Sequence, residues 1–196
     1  MGRDCALCRA PGAGALVCEA CGALLPAAEP AEGFVAAFDY RFPADRLVQR
    51  FKFEGDLAIG RWIALQLAAR VATQPRPDAL VAPPLSRARL RERGFNQSLL
   101  LARAIGRELG VPVLRGGIER VRDTPPQRGL GRGARRANVR GAFRCARRLD
   151  AMRIAIVDDV LTTGATASSL AAALRAAGAA DVAVWAVAHA RSPGSA

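Results

Sequence analysis

The string Ile154-Ala155-Ile156-Val157-Asp158-Asp159-Val160-Leu161-Thr162-Thr163-Gly164-Ala165-Thr166 limits what this chain can fold into more than any other segment. Four apolar residues lead into two adjacent acids, a Thr/Gly loop follows, and Ala167-Ser168-Ser169-Leu170 opens a helix-forming stretch. A short apolar run, closed by a turn and followed by a helix, is the pattern of a buried strand in a parallel sheet. The strand is predicted over residues 153–157, with the acids at its C-terminal end. Ligands of parallel sheets bind outside the carboxyl ends of the strands. A helix N-terminus there presents unpaired N–H groups and the positive end of its dipole, which favour a phosphate. Thr162, Thr163 and Thr166 add hydroxyl donors, and Gly164 lets the backbone approach closely. Ionised Asp158 and Asp159 only accept hydrogen bonds, which suits the paired hydroxyls of a ribose or a hydrated magnesium ion. The segment is suited to a sugar phosphate.

A chain of 196 residues suffices for one domain of ordinary size and a small appendage. With 51% hydrophobic but only 5% aromatic residues, the core has to be aliphatic and rich in alanine. No apolar run reaches the roughly 20 residues needed to span a bilayer. Arg3 and Asp4 lead into a cysteine motif rather than an apolar stretch, unlike a signal peptide, so a cytoplasmic location is expected. The net charge of +12 sits in two blocks: residues 115–148, with eleven arginines against Glu119 and Asp123, and residues 87–93, with four arginines against Glu92. Charge concentrated in this way implies an anionic partner: a polyphosphate substrate, a nucleic acid, or both. Lys52 is the only lysine among 29 basic residues, and its compact ammonium is a candidate anion-binding group.

Cys5-x-x-Cys8 and Cys18-x-x-Cys21 lie nine residues apart and supply four thiolates for one tetrahedral metal. Pro11, Gly12 and Gly14 suit the reversal between the pairs. Structural zinc is expected, with iron on the same ligand set as the competing metal. Four thiolates fill the coordination sphere and leave no open position for catalysis. Cys145 stands apart as an incidental thiol, and His189, the sole histidine, reads as structural.

Along the chain, residues 1–25 form the knuckle module, 26–33 a linker and 34–196 the main domain. Strands are predicted over 34–40, 79–83, 113–121 (interrupted at Gly116-Gly117), 139–143, 153–157 and 181–188. Helices are predicted over 45–51 behind an Asp45 cap, over 57–72 and 96–109, and after the Thr/Gly loop. Residues 87–93 read as a polar loop, and 122–136 as irregular. Strands alternating with helices predict a parallel α/β sheet.

The signature string resembles the phosphoribosyl pyrophosphate (PRPP) motif of type I phosphoribosyltransferases: four apolar residues, two acids and a loop ending Thr-Gly-x-Thr. Further segments narrow the resemblance. They are the cysteine pairs, Arg93-Gly94-Phe95-Asn96-Gln97, Phe51-Lys52-Phe53-Glu54-Gly55-Asp56, Thr124-x-x-Gln127-x-x-Leu130, Arg135-x-x-Asn138-Val139 and Ala142-Phe143. Together they are similar to the competence protein F family (ComF/ComFC, including GntX-like members), from Cys5 to about Ala188. The resemblance implies a type I phosphoribosyltransferase fold, with a parallel sheet flanked by helices, a small hood over about 34–72, a core over about 78–190 and an N-terminal four-cysteine zinc-knuckle module.

It also implies roles. Asp158 and Asp159 would hold the ribose hydroxyls, and Thr162, Thr163, Gly164, Ala165 and Thr166 the 5′-phosphate. The segment after the 79–83 strand, with Pro84, Leu85, Arg91 and Arg93, would face the pyrophosphate, while Lys52 would bind anion from the hood. Thr124, Gln127, Arg135 and Asn138 would belong to a mobile loop that excludes water. Mg²⁺ would accompany PRPP. Two functional classes follow: a phosphoribosyltransferase of unknown acceptor associated with DNA uptake in natural transformation, or a non-catalytic single-stranded DNA-binding or regulatory protein on the same scaffold. Single-stranded DNA and competence or recombination proteins are the macromolecular partners implied. The oligomeric state stays open, a dimer included, and no membrane insertion is expected.

Overall fold

The signature strand outruns its apolar stretch. In a computed structural model of the chain, which describes residues 4–11, 14–122 and 141–191, strand β5 (Arg153–Leu161) carries Asp158 and Asp159 within it rather than ending at residue 157. The extension comes from pairing. Strand β6 (Asp181–His189) lies parallel to it in unbroken register, from Arg153↔Asp181 to Leu161↔His189, and so holds the backbone on both sides of the acids. On the other side β2 (Ala79–Val81) pairs parallel with Ile154 to Ile156, and β1 (Val35–Asp39) pairs parallel with β6. The order is therefore β1-β6-β5-β2, the parallel sheet that the alternating pattern predicts. Ile154, Ala155, Ile156 and Val157 are all buried, as in a strand covered on both faces.

One core cluster joins α2 (Ala44–Gln49), the π-helical turn Arg50–Glu54, α3 (Leu57–Val71) and α5 (Gln97–Leu109) to the sheet through Leu47, Phe51, Ile63, Leu67, Ile105 and Trp185. A second joins Ile154 and Ile156 to Leu170 and Leu174 of the helix after β5, which is α6 (Ala165–Ala176) once α4 (Arg87–Arg93) is counted. Among the described residues no helix is long and apolar enough to cross a membrane.

Several expectations need correcting. Residues 87–93 are helix α4, not a loop: Ser86 Oγ caps it by accepting from the Arg89 N–H at 3.3 Å, and Gly94, at φ +74°, ends it. Asp45 does not cap α2. It lies inside the first turn, where its carboxylate accepts from the Arg46 N–H, and Pro43 holds the cap position. The segment 113–121 divides between two sheets: Val113 bridges Leu80 of β2, whereas β3 (Ile118–Arg120) pairs antiparallel with β4 (Phe143–Cys145). Gly116 and Gly117, both at positive φ, make that change of direction. β4 also replaces the strand expected over 139–143, the first residues of which lie outside the described ones.

Residues 26–31 run along the free edge of β1 through bridges Ala27↔Phe38 and Ala31↔Phe34, covering backbone groups that an edge strand leaves unpaired. Ala6, Leu7, Leu16 and Leu25 pack against the main core beside buried Val17.

Gly60 sets how closely α3 meets the π-helical turn. A Cβ there would lie 2.4 Å from the ring of Phe51, which is only 1% exposed. Alanine gains about 1 kcal/mol of helix propensity, whereas overpacking costs about 1–3 kcal/mol. Gly60→Ala is therefore expected to destabilise the fold by up to about 2 kcal/mol and to lower the thermal midpoint accordingly. An unchanged or raised midpoint would show that the Phe51 ring relaxes freely.

Candidate functional site

The two acids of β5 meet different partners. Ser98 Oγ, on α5, donates to Asp158 Oδ1 at 2.8 Å, and the Asp159 N–H donates to the same oxygen at 2.9 Å. Lys52 Nζ lies 3.0 Å from Asp159 Oδ2, and both side chains are largely buried. The Val160 N–H donates to Asp159 Oδ1. Burial, followed by the like charge of Asp159, pushes the Asp158 carboxyl up to about 6. The hydrogen bonds from Ser98 and Asp159 and the Lys52 cation pull the other way without cancelling the rise. A half-buried carboxyl raised by desolvation and a neighbouring acid is typical of functional positions.

The loops beside these acids come from adjacent strands. β5 and β2 are parallel neighbours, so the segments leaving their C-terminal ends emerge at the same edge of the sheet. After β5 come Thr162, Thr163 and Gly164. Gly164, at φ +69°, caps α6, and Ala165 and Thr166 form the first turn of that helix. The Ala165 N–H points to Thr163 Oγ1 at 3.4 Å.

After β2 come Pro84 and Leu85, then α4 with exposed Arg91 and half-buried Arg93. Arg93 Nη1 donates to Gln97 Oε1 at 3.4 Å. Asn96 does two jobs: its Nδ2 donates to the Pro83 carbonyl at 3.0 Å, and its Oδ1 caps α5 by accepting from the Leu99 N–H. Gln97 is buried, and among the described residues its Nε2 has no acceptor. Thr124, Gln127, Arg135 and Asn138 lie outside the described residues. The His189 ring packs on Phe34, with centroids 4.6 Å apart.

At the N-terminus Cys5, Cys8, Cys18 and Cys21 place their sulfurs within 4.8 Å of one another. Bonds of about 2.3 Å to a tetrahedral zinc put sulfurs about 3.8 Å apart. The Cys8–Cys18 separation is 3.8 Å, so the cluster fits one such ion. Burial alone would raise Cys5, but backbone hydrogen bonds from Cys18, Cys8 and Leu7 outweigh it and lower the thiol to about 6. Hydrogen bonding with Cys18 and Cys8 raises Cys21 to about 12. A divalent cation at the centre of the four sulfurs would favour all four as thiolates.

No protein-family model matches the chain. Over 179 residues it is 36% identical to Competence protein F of Haemophilus influenzae, an alignment taking in 87% of this chain and 78% of that protein. The chain belongs to the competence protein F family. The DNA utilization protein YhgH of Salmonella typhi is 37% identical to it over 171 residues, covering 84% of this chain and 75% of that one. Among solved structures, a glutamine PRPP amidotransferase from B. subtilis overlaps 64% of this chain at a TM-score of 0.43 and 20% identity. The overlap spans only 25% of the amidotransferase chain.

In this competence protein F family member, the residues that sequence reasoning missed are Ser98 and Arg50. Ser98 reaches Asp158 across 60 positions, and Arg50 Nη1 donates to the Ala6 carbonyl across 44. Neither carries a local signal: a serine inside a helix and one arginine among many are ordinary.

Proposed function

We propose that this chain binds PRPP together with Mg²⁺ and transfers the phosphoribosyl group to an acceptor, in the service of DNA uptake or utilization as the names of its relatives indicate. One observation carries the reading: Asp158 and Asp159, flanked by Ser98 and Lys52, lie in the C-terminal half of a parallel strand that runs through a short loop into the N-terminus of α6. In this reading the acids accept from the ribose hydroxyls. Thr162, Thr163, Gly164, Ala165 and Thr166 hold the 5′-phosphate, and the segment from Pro84 to Arg93 faces the pyrophosphate. Gln97 Nε2 is a spare donor on that side. Mg²⁺, held with the substrate beside Asp158 and Asp159, would supply Lewis-acid charge to the reaction. Departing pyrophosphate gathers negative charge, so fixed cations and N–H dipoles carry most of the stabilisation. The knuckle (1–25), linker (26–33) and phosphoribosyltransferase domain (34–196) are the working division of the chain, with zinc as the knuckle metal.

Calorimetric titration with PRPP and Mg²⁺, beside the Asp158→Ala/Asp159→Ala variant, tests the reading. Wild-type binding that the variant loses is the expected outcome, followed by pyrophosphate release when an acceptor is found. Affinity should fall about tenfold per pH unit below about 6, because ribose needs the ionised Asp158. Well-folded wild-type protein that ignores PRPP would overturn the reading. Salt-sensitive binding of single-stranded DNA by that same protein would then point to the non-catalytic alternative.

A further inference from the structure

Arg50 joins the cysteine knuckle, 44 positions away, to two acids of its own stretch of chain, Glu54 and Asp56. Its Nη1 donates to the Ala6 carbonyl at 2.7 Å, its Nη2 to Asp56 Oδ2 at 2.9 Å, and its Nε lies 3.6 Å from Glu54. Ala6 sits between the ligands Cys5 and Cys8, and its own N–H donates to the Leu16 carbonyl at 2.8 Å, close to the second cysteine pair. The place of that carbonyl therefore depends on how tightly the knuckle is closed. Asp56 caps α3, accepting from the Ile59 N–H at 3.1 Å. Arg50 also opens the π-helical turn that presents Lys52 to Asp159. A π-turn is uncommon and less well bonded than α-helix, so it needs outside support. Here that support is the guanidinium on one side and the buried Phe51 ring, wedged against Gly60, on the other. Charge-assisted bonds from a planar guanidinium fix direction as well as distance.

We propose that Arg50 is a positioning residue that ties the cysteine knuckle to the acid pair, so that closure of the knuckle on its metal sets the place of Lys52 against Asp159. Its consequence for substrate rests on the reading of Asp158 and Asp159 as the ribose site. The coupling itself does not.

Lys52 is the only lysine of the chain. Selective isotope labelling of lysine therefore gives one side-chain resonance, and amine acetylation followed by mass spectrometry gives one internal site. Asp159→Asn provides the reference for an unpaired Lys52. Arg50→Gln, still holding its metal, should move the resonance most of the way to that reference and speed acetylation about fivefold, in line with loss of a modest ion pair. Chelating the metal from the wild type should do the same. Asp56→Asn removes one anchor of Arg50 while keeping an equally good cap for α3, and should give a smaller shift in the same direction.

Resonance and rate at wild-type values in folded, metal-loaded Arg50→Gln would overturn the proposal. If that variant does not fold, wild-type values in Asp56→Asn would do so instead. PRPP titration of the same samples separates the two readings. A lysine shift without PRPP binding in any form removes the proposed function and leaves the coupling. PRPP binding with an unmoved lysine removes the coupling alone.

Discussion

Asp158→Asn is expected to weaken PRPP binding by about one to two orders of magnitude and, at neutral pH, to make the protein more stable. On the proposed reading, the loss of affinity follows from replacing a charged acceptor under a ribose hydroxyl, a bond worth about 1.5–3 kcal/mol. The gain in stability follows from the environment of the carboxyl. In the folded chain Asp158 titrates at about 6, whereas its ordinary value is 3.8, with burial the main cause and Asp159 the next. The folded state thus binds the proton more tightly than the unfolded state. Stability contributed by this group is present at about pH 4 and lost as pH rises through 6. Asparagine never ionises, yet its carbonyl still accepts from Ser98 and from the Asp159 N–H. With allowance for partial exposure, the variant should gain about 1–2 kcal/mol above pH 6. Thermal melts of both proteins at pH 4 and pH 7.5 check this, because the difference should be several degrees at the higher pH and vanish at the lower. Superimposable melts at both would mean that Asp158 is not held in its strained charged form. A residue that costs stability and is needed for binding is what a functional site predicts of itself.

The parts of this site legible in the sequence are those in which chemistry and spacing coincide. The apolar run, the acid pair and the Thr/Gly loop are contiguous, so their order along the chain already gives strand, turn and helix. The cysteine pairs are legible for a similar reason, since four thiolates at that spacing have few other uses.

Features set by tertiary contact were not legible. Hydrophobicity ends β5 at Val157, but pairing with β6 carries it to Leu161, because a neighbouring strand supplies bonds that no local propensity records. The alternate arginines of 87–93 suggested a loop, yet Ser86 before them and Gly94 after them are start and stop signals for a short helix. Those signals were present and were outweighed by charge. The π-helical turn has no sequence signature, and it decides that Lys52 faces Asp159, more than a hundred positions away. The sequence marked Lys52 as unusual by its rarity, but its partner came only from the fold.

Stripping the metal from the knuckle is expected to lower the thermal midpoint of the whole chain, not only to loosen its first residues. Helix α1 (Glu19–Ala23) buries no side chain of its own, so the module cannot be held by a core of its own making. Its apolar residues instead lie on the main core: Val17 is buried, and Ala6, Leu7, Leu16 and Leu25 pack beside it. Without a cation the four sulfurs are no longer cross-linked; Cys5 is favoured as thiolate, near 6, while Cys21 keeps its proton up to about 12. A module that opens once that cross-link is lost uncovers apolar surface on the domain behind it. Exposing Val17 and parts of its neighbours costs about 3 kcal/mol. For a chain of this size that lowers the midpoint by about 6–12 °C. Cys8→Ser should reproduce the drop and abolish bound metal, whereas Cys145→Ser, outside the cluster, should change neither. Elemental analysis of the purified protein decides between zinc and iron, and the absence of visible absorbance accompanies zinc. A stripped protein that melts with the loaded one would mean that the knuckle rides on the fold without supporting it, and would remove the mechanical basis for any link between the metal and Lys52.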